Sequence, residues 1–516
     1  MRFRGIILPP PLANLQTFPL AHFSTPMSRL LRNSLVVAVF FGLDKILALG
    51  RQILVARQFG LSYEMDAFNA ANNIPDLLSA LISGGALGVA LIPVLSEYLE
   101  KRGRPKAWQL FSYVLNLAFV VTGGLSILLA VSARPLIARL IAPGFPPAQQ
   151  ALAVSLMRLD LFAILIFSIS GLVMAGLQAN QHFLLPAMAP AMYNGGQIFG
   201  ILFLAPRFGI FGLVYGVILG ALLHLGVQVP ALRWYRFHWE PGIPLGDAGI
   251  RKVLSLMGPR VLTMFFIQFF FLVRDNLASH LGEGAVSALN YGWFIMQVPE
   301  TLLGSALAIV LLPTLAEYAA VGKWEAFGKT FNKAARFLTA AALPAAAVLA
   351  AGLEPLIGVL GFDAAGVRMV LWAARAYLLG MLSHAVLEIT SRAFYARQDA
   401  RTPLGAAALN AILYLLFALL FVRGAGHAGI ALANTLAFTT EAILLLFLLR
   451  RRVPGILRLD GTLGRTAGGI LLGGGLTLLV GGLLPSGPLT GALALGAGAL
   501  AALPFLWPEV RALREV

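Results

Sequence analysis

Residues 42–60 read GLDKILALGRQILVARQFG, an apolar stretch that nonetheless carries Asp44, Lys45, Arg51 and Arg57. Asp44 and Arg51 are seven positions apart, nearly the same face of a helix, with Lys45 one position round. The rest of the chain decides the solvent. Over 516 residues it is 59% hydrophobic and 12% charged, with mean hydropathy +0.84. A soluble chain of this length needs roughly twice that charge to solvate its surface. The apolar residues come in runs of about 20, the length a helix needs to cross ~30 Å of hydrocarbon. Open strands cannot replace helices there, because their edge N–H and C=O groups find no partner in lipid. The expected fold is therefore an all-α polytopic membrane protein.

Fourteen candidate spans follow, near 34–58, 66–97, 108–132, 150–178, 184–205, 209–232, 253–281, 284–316, 327–352, 366–395, 404–422, 428–449, 464–484 and 487–507. Connectors are short and leave no room for a soluble catalytic domain. Those after even-numbered spans are basic, such as EKRGRPK (100–106), RWYRF (233–237), RQDAR (397–401) and RRRVPGILR (450–458). Those after odd-numbered spans are poorer, and SHLGEG (279–284) and PSGP (485–488) hold no Lys or Arg. Basic loops stay inside, so both termini are expected in the cytoplasm. The net charge of +16 follows from the same rule and from contact with anionic membrane lipid, which removes the case for nucleic acid. The chain has no cysteine, so it holds no disulfide and no thiolate metal site. Residues 1–26 lack the apolar core of a signal peptide. They are expected to be a dispensable or wrongly assigned extension, with Met27 as the start.

The chain also repeats itself. IPVLSEYLE (92–100) recurs as LPTLAEYAA (312–320), and GLQANQHFLLPAMAPAMYN (176–194) as AFYARQDARTPLGAAALN (393–410). FGLVYGVILGALLH (211–224) recurs as AGIALANTLAFTTE (428–441), at a similar offset of about 220 residues. An even number of spans separates the copies, which makes the repeat parallel, with an axis along the membrane normal and a substrate path between the halves. The expected domains are an N-terminal lobe of six helices (27–235), a C-terminal lobe of six (251–450) and two further helices (460–516).

Ionisable groups inside a membrane span face a wet cavity or a partner, because each costs a few kcal/mol or more at the bilayer centre. Arg274 in FLVRDNLASH sits about where Arg51 sits in the first lobe; Arg260 lies earlier in that helix, and Asp66 opens the second span. Bases outnumber acids around Lys45, Arg51 and Arg274, which favours an anionic ligand, with phosphate suited to the guanidinium fork. The alternative is mutual pairing: Asp44 with Arg51, Arg274 with Asp275, and Glu388 with Arg392 at i, i+4. For the last pair, pairing is the better reading, so Asp44, Glu388 and Arg392 are candidates for structural or gating charges. Arg158 and Asp160 face neighbouring helices. His224, His384 and His427 have no metal-site spacing, no Walker sequence is present, and no cofactor is expected beyond a coupling ion or the membrane potential.

DKILALGRQILVARQFG with MDAF, APGF (142–145), MGP (257–259) and AFYARQDARTP (393–403) resemble the MurJ (MviN) family of lipid II flippases, within the multidrug/oligosaccharidyl-lipid/polysaccharide exporter superfamily. The resemblance runs from about residue 29 to the end. It implies a V-shaped pair of lobes around a cationic cavity, with spans 13 and 14 forming a lipid-tail groove in which Gly473 and Gly474 lie. It puts Lys45, Arg51 and Asp66 at motif positions of the first lobe. Several family residues are replaced: Ser79 and Ala80 follow PDLL, Gly84 stands for an acid, Gln52 follows Arg51, and Phe294 stands where an arginine is usual. Arg260 and Arg274 are the candidate substitutes for the missing bases.

The expected function is flipping of an undecaprenyl-diphosphate-linked peptidoglycan precursor across the bacterial cytoplasmic membrane by alternating access, with Lys45, Arg51 and Arg274 on the diphosphate. A monomer is expected, with the cell-wall synthesis machinery as a candidate partner. Other readings are a flippase for a different polyprenyl-linked glycan and, further off, a cation-coupled drug exporter, which should line its cavity with acids and aromatics. An intramembrane glycosyl- or phosphotransferase would need a long outer loop or an acid cluster for metal, and neither is present.

Overall fold

A computed structural model describes residues 29–82, 86–459, 461–485 and 487–513, so the expectations placed on residues 1–26 and on Gly84 lie outside the described residues. Among the described residues the regular structure is helical, with no strand. The main helices are α1 (Arg29–Phe59), α2 (Tyr63–Ile82), α3 (Ala86–Lys101), α4 (Gly103–Leu136), α5 (Pro147–Ala179), α6 (Leu184–Phe199), α7 (Ile210–Gly226) and α8 (Ala248–Ala278). There follow α9 (Ala285–Glu300), α10 (Ala306–Ala320), α11 (Trp324–Gly352), α12 (Ala364–Leu378), α13 (Met381–Ala396), α14 (Arg401–Arg452), α15 (Thr462–Leu483) and α16 (Pro488–Leu513).

Among the described residues, nine helical stretches are long and apolar enough to cross a membrane, or ten if the bent pair α12 and α13 counts as one span. The other expected spans are helical but differ from this pattern for local reasons. Helices α1 and α8 carry several charges each. Helix α6 is only 16 residues long before a π-helical turn at Gly200–Leu204 continues it. Helix α14 is one run of 52 residues, but at Gly426 the backbone takes φ 54° and ψ −134°, which breaks it in two. A side chain would be strained at that φ, so the glycine of VRGAGH is what allows the turn.

The chain divides into two compact units. One comprises the described residues up to 52 together with 78–128 and 159–260; the other comprises 53–77, 129–158 and the described residues from 261 onward. In the first unit, glycines replace side chains where α6 meets α7. A Cβ on Gly196 would strike the Gly220 backbone, and one on Gly200 the Gly216 backbone. Glycines four apart on facing helices let the backbones touch, which is how helices associate when lipid gives no hydrophobic drive. Trp108, Phe111 and Phe237 pack edge to face at 5.4–5.5 Å between centroids, and Lys252 and Lys101 both pair with Glu97 at 2.5 and 3.0 Å.

In the second unit one core gathers Phe327, Phe331, Phe394, Leu445 and Leu449, and another gathers Ala56, Tyr291, Leu353 and Val370. Helices α15 and α16 pack on α11 through Gly473, whose added Cβ would meet Gly498 O at 3.0 Å and Val348 at 3.1 Å. A fully buried carboxylate, Glu509, fastens the three together. It accepts from Arg336 Nε at 2.9 Å and Thr462 Oγ1 at 2.8 Å, and pairs with Arg465. In the connector before α14, Asp399 accepts from the Thr402 N–H at 3.0 Å and hydroxyl at 2.6 Å and pairs with Arg452. Partial burial pushes its carboxyl up, but the Thr402 and Arg452 contacts outweigh that and hold it at about 2.

Candidate functional site

In the first unit the candidate site is the middle of α1. Asp44 is 9% exposed, accepts from Asn194 Nδ2 at 2.8 Å, and has Lys45 Nζ at 3.5 Å. The Lys45 side chain is 60% exposed and Arg51 is half-buried. The ion pair at Asp44 is thus made with its neighbour rather than with Arg51. Two helical turns separate positions seven apart by about 10.5 Å, too far for a direct pair along one straight helix. The side chain of Arg260 lies outside the described residues.

In the second unit Arg274 and Asp275 form the buried pair that their adjacency suggests. Arg274 is 5% exposed, with Nε on Asp275 Oδ1 at 2.7 Å, Nη2 on Asn290 Oδ1 at 2.8 Å, and its guanidinium 4.9 Å from the Phe271 ring centroid. Asp275 also accepts from Asn73 Nδ2 at 2.6 Å. A planar fork sharing charge-assisted bonds with a carboxylate is the stable way to hold a guanidinium in a low dielectric. Its Nη1 has no hydrogen-bond partner.

Asp66 is fully buried and saturated. The Gly284 N–H donates to Oδ2 at 2.7 Å; the Ser287 N–H and hydroxyl donate to Oδ1 at 2.8 and 2.6 Å. These are the orphan donors at the start of α9, where a carboxylate is favoured by hydrogen bonding and by the helix dipole. The favour is returned, because Glu283 accepts from the Tyr63 N–H at the start of α2 at 2.8 Å. Asp66, expected at the substrate, lies in a mutual cap of two helix starts. Close by in this unit, Asn276 Nδ2 donates to Leu140 O at 2.6 Å, and Gly144 N to Ser279 Oγ at 3.1 Å. Gly144 of APGF cannot carry a side chain, since its Cβ would fall 2.6 Å from the Ser279 backbone.

A cavity of about 300 Å³ opens among α8, α9, α12, α13 and both halves of α14, with Arg274, Trp293, Glu300, His384, Glu388 and Asn434 in its lining. Glu388 pairs with Arg392 at 3.6 Å, one turn apart. His384 shares a hydrogen bond with Asn434 at 3.2 Å and stacks on Phe438 at 4.1 Å, while His224 lies with Ser170 and Gln228. Among the described residues no three of His, Cys, Asp and Glu gather as a metal group. Arg158 donates to Ala130 O at 2.9 Å. Sequence reading missed Glu300, Glu283, Asn73, Asn194 and Asn290. Only Glu300 left a signal, as an acid in an apolar span with no base within one turn.

Comparison with known proteins bears on the whole chain. Residues 55–484 match the family described as Lipid II flippase MurJ. A lipid II flippase MurJ of Burkholderia cenocepacia is 32% identical over 448 residues, covering 83% of this chain and 86% of the relative. A probable lipid II flippase MurJ of Buchnera aphidicola is 29% identical over 424 residues, covering 81% and 83%. Among solved structures, a lipid II flippase MurJ in an inward-closed conformation superposes with TM-score 0.77 at 23% identity, covering 91% of this chain and 98% of that one. An inward-facing multidrug transporter of the MATE family gives 0.68 at 15%, covering 81% and 97%, which shows a shared fold alone.

Proposed function

The chain belongs to the lipid II flippase MurJ family, and from that premise we propose that it carries lipid II across the bacterial cytoplasmic membrane. The observation that carries the reading is the match over residues 55–484, which takes in nearly every helix described above. Moving a lipid headgroup through a bilayer makes and breaks no covalent bond, so the protein must supply a polar path and two gates. The path needs cations for a diphosphate. Lys45 and Arg51 are the candidates, the first largely exposed and the second half-buried, with Asp44 held by Asn194 beneath them. Arg274 is already paired with Asp275 and hydrogen-bonded to Asn290 and Tyr377, and Nη1 is its nitrogen left for a ligand.

In this reading the chain crosses fourteen times with both termini inside, which puts the starts of α2 and α9 at the outer face. The mutual cap of Asp66 and Glu283 is then the outer gate. Releasing substrate outside requires opening it, and losing the charge-assisted bonds to Asp66 costs on the order of 5 kcal/mol. The membrane potential supplies about 2.3 kcal/mol per charge per 100 mV, so a few charges moving across the field suffice. The lobes 27–235 and 251–450 would rock so that this contact parts, and α15 with α16 would hold the prenyl tail. A single copy suffices for this cycle, beside the cell-wall synthesis machinery that uses the product.

Complementation tests the reading. The full chain should restore growth of a strain depleted of its own lipid II flippase. A correctly inserted chain that fails to do so, while supporting transfer of another polyprenyl-linked glycan, would move the reading to that substrate.

A further inference from the structure

Helix α2 carries a polar stripe that ends on an unused acid. Asp66, Asn69, Asn73 and Asp76 fall within about 80° of one another on a helix that turns ~100° per residue. The first three are engaged within the second unit. Asp66 accepts from the Gly284 N–H and from Ser287, Asn69 Nδ2 donates to Ser287 Oγ at 3.1 Å, and Asn73 Nδ2 donates to Asp275 Oδ2 at 2.6 Å. Asp76 continues the same face one turn further on. It is exposed, and its carboxylate makes no hydrogen bond or ion pair among the described residues.

About 15 Å of helix separates Asp76 from Asp66, so this carboxylate lies well inside a stretch long and apolar enough to cross a membrane. A carboxylate at such depth is sustained by water or by a positive charge. The structure around it supplies no positive charge. Asp275, bonded to Asn73 one turn away, repels it. The adjacent Arg274 answers Asp275 at 2.7 Å and Asn290 at 2.8 Å instead. One turn before Asp76 on α2, Asn72 Oδ1 is also without a partner. The inner end of the stripe therefore holds two oxygen acceptors that receive nothing.

We propose that Asp76 is a specificity-determining residue of the transport path, which takes a primary ammonium group on the headgroup of the cargo. Asn72 serves as a second acceptor once its amide turns toward the ligand. An ammonium is a compact charge with three donors, which a carboxylate and an amide oxygen can share. A neutral group in its place leaves the carboxylate uncompensated, and that penalty is what discriminates. The inference rests on the lipid II reading, whose cargo carries a peptide, and adds a requirement to it. The headgroup is read for a positive charge on its peptide as well as for its phosphates.

The test compares two lipid II preparations on the full chain in proteoliposomes. One carries a lysine with a free ε-ammonium in its peptide, and the other carries the same lysine acetylated. The wild-type chain should bind and flip the free-amine form about tenfold better, the worth of one charge-assisted hydrogen bond. That advantage should shrink at high salt. Asp76→Asn keeps the size and one hydrogen-bonding oxygen but loses the charge, so it should handle both forms as the wild-type chain handles the acetylated one. Equal handling of the two forms by the wild-type chain overturns the proposal and leaves the lipid II reading standing. A preference that survives unchanged in Asp76→Asn overturns it too, since the amine is then read elsewhere. If Asp76→Asn does not insert, Asp76→Ser is measured in its place with the same two outcomes. A wild-type chain that binds neither form overturns both this proposal and the lipid II reading.

Discussion

Asp66 and Ser287 lie 221 residues apart, and both the N–H and the hydroxyl of Ser287 donate to the same oxygen of the Asp66 carboxylate. Tyr63 and Glu283, bonded beside them, are 220 apart. That separation matches the offset of about 220 residues at which the sequence repeats. Corresponding positions of two copies meet one another only near the axis that relates them.

If this contact opens during each cycle, tying it shut should stop the cycle. Asn69 Nδ2 lies 3.1 Å from Ser287 Oγ, and the chain has no native cysteine to interfere. The double variant Asn69→Cys/Ser287→Cys should support growth under reducing conditions and lose it on oxidation, a redox dependence that neither single variant should show. Full transport by the oxidised protein would make the contact a static brace.

Charge at Arg51 should matter more than packing. Arg51→Ala is expected to lower flipping at least tenfold with normal insertion, and Arg51→Lys to recover part of it, since the ammonium keeps the charge but loses the bidentate fork. Because Asp44 is held by Lys45 and Asn194, Asp44→Ala/Arg51→Ala should be no better than Arg51→Ala alone. Normal flipping by the double variant, assayed in proteoliposomes, would restore the Asp44–Arg51 pair as the explanation.

Asp399 gives a pH signature. Its carboxyl sits at about 2, below the ~3.9 of an unfolded aspartate. The stability it contributes is therefore fully present above about pH 4 and lost as pH falls through about 2. Asp399→Asn keeps a capping oxygen but loses the charge paired with Arg452, so it should unfold at a lower temperature than the wild-type chain at pH 7, by about 1 kcal/mol of stability. The gap should narrow steadily when unfolding is scanned down to pH 3 and below, and a constant gap would contradict the assignment.

The two kinds of glycine should respond oppositely to added bulk. Gly473 touches Gly498 and Val348, whereas Gly475 is exposed with nothing within 4 Å of an added Cβ. Gly473→Trp should fail to accumulate in the membrane. Gly475→Trp should insert normally, and if the prenyl tail lies along this hairpin its binding of lipid II should fall several-fold. Unchanged binding would move the tail elsewhere.

The helices were legible because lipid leaves the backbone one option, and apolar run length records it directly. Even the break in α14 was visible, since VRGAGH places glycine where the two expected spans part. The site was legible only where partners are neighbours in sequence, as with Arg274 and Asp275 or Glu388 and Arg392. Asp66 stood out as an acid opening a span, but its donors come from a helix start some 220 residues on, and backbone N–H groups have no letter in the sequence. Asp44 and Arg51 share a helix face without reaching each other, so the pairing weighed as the alternative could not be decided from spacing alone. Glu300 was passed over because it sits beside VP, a motif read for the arginine missing at Phe294.

The anchoring of Glu509 has a consequence for how the chain is made. Arg336 enters the membrane 173 residues before the carboxylate that receives it has been synthesised. At roughly 5–20 residues per second, that guanidinium waits on the order of 10–30 s in a half-assembled protein. The fastening of α11, α15 and α16 is thus complete only when the final helix arrives, and a ribosome stalled before residue 509 leaves α11 and α15 without the carboxylate that ties them to α16.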